Sequence, residues 1–218
     1  MHDLEKVYQA IKKYLDERDA AREEMLARGR EIIRLSGSAI SKMLSSDLKS
    51  AEDELKKMRS IVESLSFSLK DYPELFNSTP CWNALAEHVE AESLYKVLIG
   101  EGVPSHEELG VPIVPYVLGL ADLIGELRRV ALEEVKKGRI GNAWMLLEKM
   151  EEIFSMLSPL DYPDALLPGL RHKVDVGRKL IDDTKYFLVD MESRMRLEIA
   201  LREASRLGQD ENYKIKDI

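Results

Sequence analysis

From about His2 to Leu44 the chain carries no proline, and its apolar residues recur at three- and four-residue steps, among them Leu4, Tyr8, Ile11 and Leu15. That spacing is the period of one helix face, and it persists far beyond the length of an ordinary surface helix. So long a helix needs other long helices to cover its apolar stripe, which points to an all-α bundle. Composition agrees: aromatic residues are 6% of the chain and charged residues 33%, a mixture suited to amphipathic helices and poor in strand formers. At 218 residues, one sizeable core is the expected organisation.

Caps and breakers divide the remainder. Ser45, Ser46 and Asp47 offer caps for a second helix through about Leu69, which Asp71-Tyr72-Pro73 ends. The serine-rich stretch from Gly37 to Ser46 is expected to bend or weaken the first helix near its end. Thr79-Pro80 starts a third helix, with Gly100 in a C-terminal capping position. After a loop from Glu101 to about Ile113, Pro115 opens a fourth helix in its first turn, and Gly138 interrupts it after Lys137. A fifth helix is expected over Gly141 to Met156. The proline-punctuated SPLDYPDALLPG follows, then one or two further helices from Leu170 to about Leu207. The expectation is a single domain over 1–206, a bundle of about six to seven long helices with nearly antiparallel neighbours, and a mobile tail over 207–218.

A formal net charge of −8 argues against a surface that is a phosphate-binding field throughout, though it leaves room for a local basic groove. Cys81 is the only cysteine, so no intramolecular disulfide and no multi-cysteine zinc site can form. The opening MHDLEKVYQAIKKYL lacks an apolar signal core, and no apolar run reaches bilayer-spanning length. A cytoplasmic protein, neither exported nor membrane-embedded, is expected.

The chemistry lies in four carboxylates. At about 100° per residue, Glu87 and Glu90 fall on one side of the third helix with Ala86, Ala91, Leu94, Val97 and Leu98, while His88, Glu92 and Lys96 form a separate polar side. On the fourth helix, Val114 to Leu127 is apolar or small except for Asp122 and Glu126, which stack at i and i+4. With 40 acidic residues in 218, either pair alone is equally an ordinary solvated pair. Two such pairs on consecutive helices favour a shared role, because clustered, desolvated carboxylates repel unless they are protonated or share a cation. Oxygen-only ligands favour Mg²⁺ or Mn²⁺ over zinc. A di-iron site is disfavoured, since none of His2, His88, His106 and His172 has a glutamate three positions before it.

The same residues resemble a known family. PYVLGLADLIGELRR, Pro115 to Arg129, resembles the Y-L-L-G-V-A-D-L-T-G-E-L stretch of the translin family's catalytic branch, the translin-associated factor X (TRAX) type. LAEHVEAES, Leu85 to Ser93, is similar to the family's E-Y-V-E-A element, and Leu15 to Ile40, with Arg18, Arg30 and Ser36, gives a weaker third match. The resemblance implies a translin-like helical subunit of a closed, barrel-like oligomer that cuts single-stranded RNA internally with a divalent metal. Its catalytic and metal-binding acids fall on Glu87, Glu90, Asp122 and Glu126, with Glu126 a candidate base. Identical copies in an octamer-like closed assembly are the expected form.

A nuclease of net negative charge must localise its positive charge. Arg129 could meet the scissile phosphate or pair with Glu133 at i+4, and the family match adds Arg18 and Arg30 as RNA contacts. Tyr116 and His88 read more simply as a packed tyrosine and a surface histidine than as base-stacking groups. The rival reading is a non-catalytic translin-like protein that binds RNA or single-stranded DNA or scaffolds a partner. A plain bundle with surface acids is the third.

Overall fold

The computed structural model describes the backbone of residues 4–214 and the side chains of residues 4–205. Among the described residues there are eight helices and no strand. Six are long: α1 (Leu4–Leu44), α2 (Leu48–Ser68), α4 (Thr79–Leu98), α6 (Ile113–Lys136), α7 (Ile140–Leu157) and α8 (Leu170–Lys214). Single turns α3 (Pro73–Phe76) and α5 (His106–Leu109) lie in segments expected to be breaks. No helix is long and apolar enough to cross a membrane among the described residues.

The caps work largely as their residue types require. Asp47 accepts a hydrogen bond from the Ser50 amide at 3.1 Å and starts α2. Gly100 and Gly138 follow α4 and α6 with φ of 84° and 77°, a left-handed conformation that costs glycine nothing. The serine-rich stretch does not interrupt α1 before Leu44. Ser36, Ala39, Ile40 and Met43 are buried there, and this packing holds α1 helical through Leu44. The end expected at about Leu207 is absent, since the backbone of α8 continues as helix to Lys214; the last part of the expected tail, 215–218, lies outside the described residues.

Contacts give the direction of each helix. Gly29 packs on Ala84 and Ser36 reaches Glu87, so α1 and α4 run in the same sense. Gly119 meets Ala86 and Val89, while Val130 shares a cavity with Val97 and Leu98, which makes α6 parallel to α4. Lys173 on Asp122, Gly177 on Ile124 and Leu180 on Gly125 make α8 parallel to α6. The nearly antiparallel packing expected of all neighbours is therefore corrected. The tight turns before α2 and α7 make those two the return strokes, and the segment 99–112, with α5, carries the chain back between α4 and α6.

The core joins all six long helices, with Ile32, Leu35, Leu55, Leu65, Leu85, Leu94, Leu120, Leu123, Leu147 and Leu188 among its most buried members. α1 is about 60 Å long at 1.5 Å per residue, and its first buried residue is Met25. Leu4, Val7, Tyr8, Ile11, Tyr14 and Leu15 all remain exposed on the part before it.

Candidate functional site

α4 and α6 approach so closely that a Cβ on Gly119 would stand 2.5 Å from the Ala86 carbonyl oxygen and 2.7 Å from Val89 Cβ. Only glycine fits there. The contact sets the two acidic pairs across from each other, Glu87 and Glu90 on α4, Asp122 and Glu126 on α6. All four line one cavity of about 520 Å³, closed by Gly37, Ile40 and Ser41 of α1, by Arg129, and by Lys173 of α8.

The acids differ in surroundings. Glu90 is 8% exposed; burial, then the charges of Asp122, Glu87 and Glu126, push its carboxyl up to about 9, with Lys173 opposing only in part. Glu87 is also raised, by burial first, against a hydrogen bond from Ser36. The Ser36 hydroxyl lies 3.1 Å from Glu87 Oε2 and 3.1 Å from its carbonyl oxygen. Asp122 accepts from Lys173 Nζ at 2.5 and 2.6 Å. Glu126 accepts from Arg129 Nη1 at 2.8 and 2.9 Å.

Two cations thus line an acidic cavity, Arg129 the more exposed of the two. Among the described residues, no three His, Cys, Asp or Glu side chains are arranged, as they stand, so that they could hold a metal ion. The carboxylates converge on one space, but Asp122 and Glu126 are turned to their ammonium and guanidinium partners, and Glu87 to Ser36.

The basic residues divide. Arg129 lines the cavity and pairs with Glu126 at i−3; the expected alternative, Glu133, pairs with Lys136 instead. Arg30 is exposed on α1 about 10 Å, or two turns, before Gly37 and on the same face. Arg18 lies about 28 Å from Gly37 along the helix. Its guanidinium stacks over Tyr14 at 3.5 Å and pairs with Glu74 at 3.1 Å, so the structure does not bring it to the cavity.

The polar side expected for α4 is corrected. His88 is 2% and Glu92 1% exposed. Burial holds the His88 imidazole down at about 4, and it is neutral. Glu92 accepts from Arg59 at 2.7 and 3.0 Å, and Arg59 also donates to Glu52. α4 is enclosed on nearly every side, so α2 and the 99–112 segment cover what its wheel leaves polar. Tyr116 is packed as expected, donating to the Pro104 carbonyl at 2.9 Å. The residues that sequence reasoning missed are Lys173, which lies 51 positions from Asp122 in an evenly charged helix, and Gly119, whose role needs its neighbour helix. No local pattern marks Lys173; Gly119 stood unremarked inside the quoted motif.

With this geometry in place, comparison with known proteins assigns the chain. The model of the translin family matches residues 6–184. The chain belongs to the translin family. An uncharacterized protein of Methanocaldococcus jannaschii is 34% identical over 193 residues, 87% of this chain and 84% of that protein. Among solved structures, AfC3PO in complex with duplex RNA superposes with a TM-score of 0.80 at 34% identity, covering 86% of this chain and 97% of that one. The crystal structure of AfC3PO gives the same values. Apo-NeC3PO gives a TM-score of 0.75 at 27% identity, with 88% and 98% covered. The all-α translin fold expected from sequence is the fold observed.

Proposed function

We propose that this translin-family chain is a Mg²⁺- or Mn²⁺-dependent endoribonuclease of the TRAX type that cleaves single-stranded RNA within a closed oligomer of identical copies in the cytoplasm. The observation that carries the reading is the convergence of Glu87, Glu90, Asp122 and Glu126 on one cavity. RNA as the partner is supported by AfC3PO, similar over nearly its whole length and solved with duplex RNA.

By residue type, the lining suits a hard divalent cation. The four acids supply oxygen donors, with no sulfur or imidazole among the described lining residues. Burial first, and then the neighbouring carboxylates, raise the Glu90 carboxyl to about 9, and a cation beside it would favour its ionised form. Glu87, Glu90, Asp122 and Glu126 would hold the ion. When bound, it supplies Lewis-acid chemistry, polarising a phosphate oxygen and lowering the pKa of a water. Arg129, 56% exposed at the rim, balances phosphate charge. Glu126, 15% exposed and facing that rim, is assigned to accept the proton of the attacking water at a carboxylate oxygen. The closed oligomer is the reading of the exposed apolar stripe on α1.

One observation favours a second reading, a non-catalytic protein that binds RNA or single-stranded DNA or scaffolds a partner: the acids are turned to Lys173, Arg129 and Ser36 and are not arranged, as they stand, to hold an ion. Incubating the oligomer with end-labelled single-stranded and duplex RNA, with Mn²⁺, Mg²⁺ or a chelator, separates the two. We expect metal-dependent internal cuts in the single strand, reduced at least 100-fold by Asp122→Asn or Glu126→Gln. Intact RNA after incubation with folded wild type would sink the enzyme reading, and retained binding would then select the second.

A further inference from the structure

Among the described residues, Lys173 is the one ammonium lining the cavity, and it comes from a different helix than any of the four acids. Its place follows from how α8 packs on an α6 side chain. α8 lies against α6 where a Cβ on Gly177 would come within 3.1 Å of Ile124, and Lys173 is one turn before that contact. From there Nζ reaches both oxygens of Asp122, at 2.5 and 2.6 Å. The pair is not sealed in, for Lys173 and Asp122 are 33% and 36% exposed, so the lysine can leave for solvent without disturbing the core.

An ammonium astride a carboxylate occupies the same oxygens that a divalent cation needs. We propose that Lys173 is an exchangeable counter-ion for the metal site: it holds Asp122 in the cation-free protein, and a divalent ion binds only by displacing it. The inference rests on the cation reading of the four acids. It gives a physical reason why carboxylates that share a cavity are not arranged, as they stand, to hold an ion. It also makes Lys173 a positioning residue, acting through Asp122, that weakens metal binding while keeping the empty cavity from self-repulsion. Arg129 cannot substitute, because its guanidinium is committed to Glu126 from the next turn of the same helix.

The test is Mn²⁺ titration by calorimetry on the full chain without RNA, using wild type, Lys173→Met, Lys173→Arg and Asp122→Asn. Lys173→Met is expected to bind Mn²⁺ at least tenfold more tightly than wild type and to gain more in Tm on adding Mn²⁺, because its metal-free form melts lower. Lys173→Arg, which keeps the charge, is expected within about threefold of wild type. Lys173→Gln repeats the measurement if the Met variant does not fold. Equal or weaker binding by the charge-removing variants, with binding lost in Asp122→Asn, overturns the counter-ion role and leaves the metal site standing. Absence of Mn²⁺ binding in folded wild type and Lys173 variants alike overturns the metal reading itself, and this inference with it.

Discussion

Glu90 is the carboxyl least able to ionise in the cavity, and this makes stability depend on pH in a definite direction. Its value in the folded protein is about 9, against 4.5 for an ordinary glutamate. Below the ordinary value both folded and unfolded chains carry the proton, and the contribution is fully present. As pH rises the unfolded chain ionises first, so the contribution declines steadily and is lost as pH passes the folded value. The metal-free protein should therefore lose Tm between pH 6 and 9, and Glu90→Gln, neutral throughout, should flatten that decline. Melting curves in chelator across this range check it; parallel profiles for the two proteins would remove Glu90 as the cause. The four acids themselves were legible as residues, because carboxylates on an apolar helix face are conspicuous. His88 and Glu92 were not, since a wheel shows which side of a helix is polar but not whether another element covers that side.

At the level of elements, the site is a property of how α4 meets α6. The approach at Gly119 leaves no room for a Cβ against the Ala86 carbonyl and Val89, and backbone cannot rotate aside as a flexible side chain can. Gly119→Ala is expected to push the helices apart, at a cost of about 3 kcal/mol by the usual penalty for overpacking, and to weaken Mn²⁺ binding because each helix carries two of the acids. Gly125 is the control on the same helix. A Cβ there meets only Leu180 Cδ1 at 3.9 Å, so Gly125→Ala should be neutral or stabilise by up to roughly 1 kcal/mol through helix propensity. Urea denaturation of the two variants decides the matter, and equal stabilities would show that the close approach is not what positions the acids. Helix ends with strong local signals, Asp47, Gly100 and Gly138, lay where the residues placed them. The serine-rich end of α1 stayed helical, because buried Ile40 and Met43 outweigh a weak local preference.

The whole molecule leaves a long apolar stripe uncovered. Before Met25, α1 has no buried side chain, yet Leu4, Val7, Tyr8, Ile11, Tyr14 and Leu15 repeat at helical spacing, and α8 exposes Leu197, Ile199 and Leu201 beyond Leu188, the last buried among the described residues. Because α1 and α8 run in the same sense, these overhangs leave the bundle at opposite ends. Contiguous exposed apolar surface of this kind marks an interface. We expect a self-associated wild type by light scattering, and a shift to smaller species for Ile11→Glu with Leu15→Glu, with helix content by circular dichroism unchanged. A wild type that stays monomeric at micromolar concentration would count against this surface.

The helical class, most helix boundaries and the four carboxylates that line one cavity were legible in the sequence, because period, caps and an acid among apolar neighbours are all local signals within one or a few turns. Tertiary structure alone decided the parallel sense of α1, α4, α6 and α8, the covering of His88 and Glu92, the withdrawal of Arg18 from the cavity, and the pairing of Lys173 with Asp122. Each of these depends on which distant segment comes to lie alongside, and no spacing within a single helix carries that information.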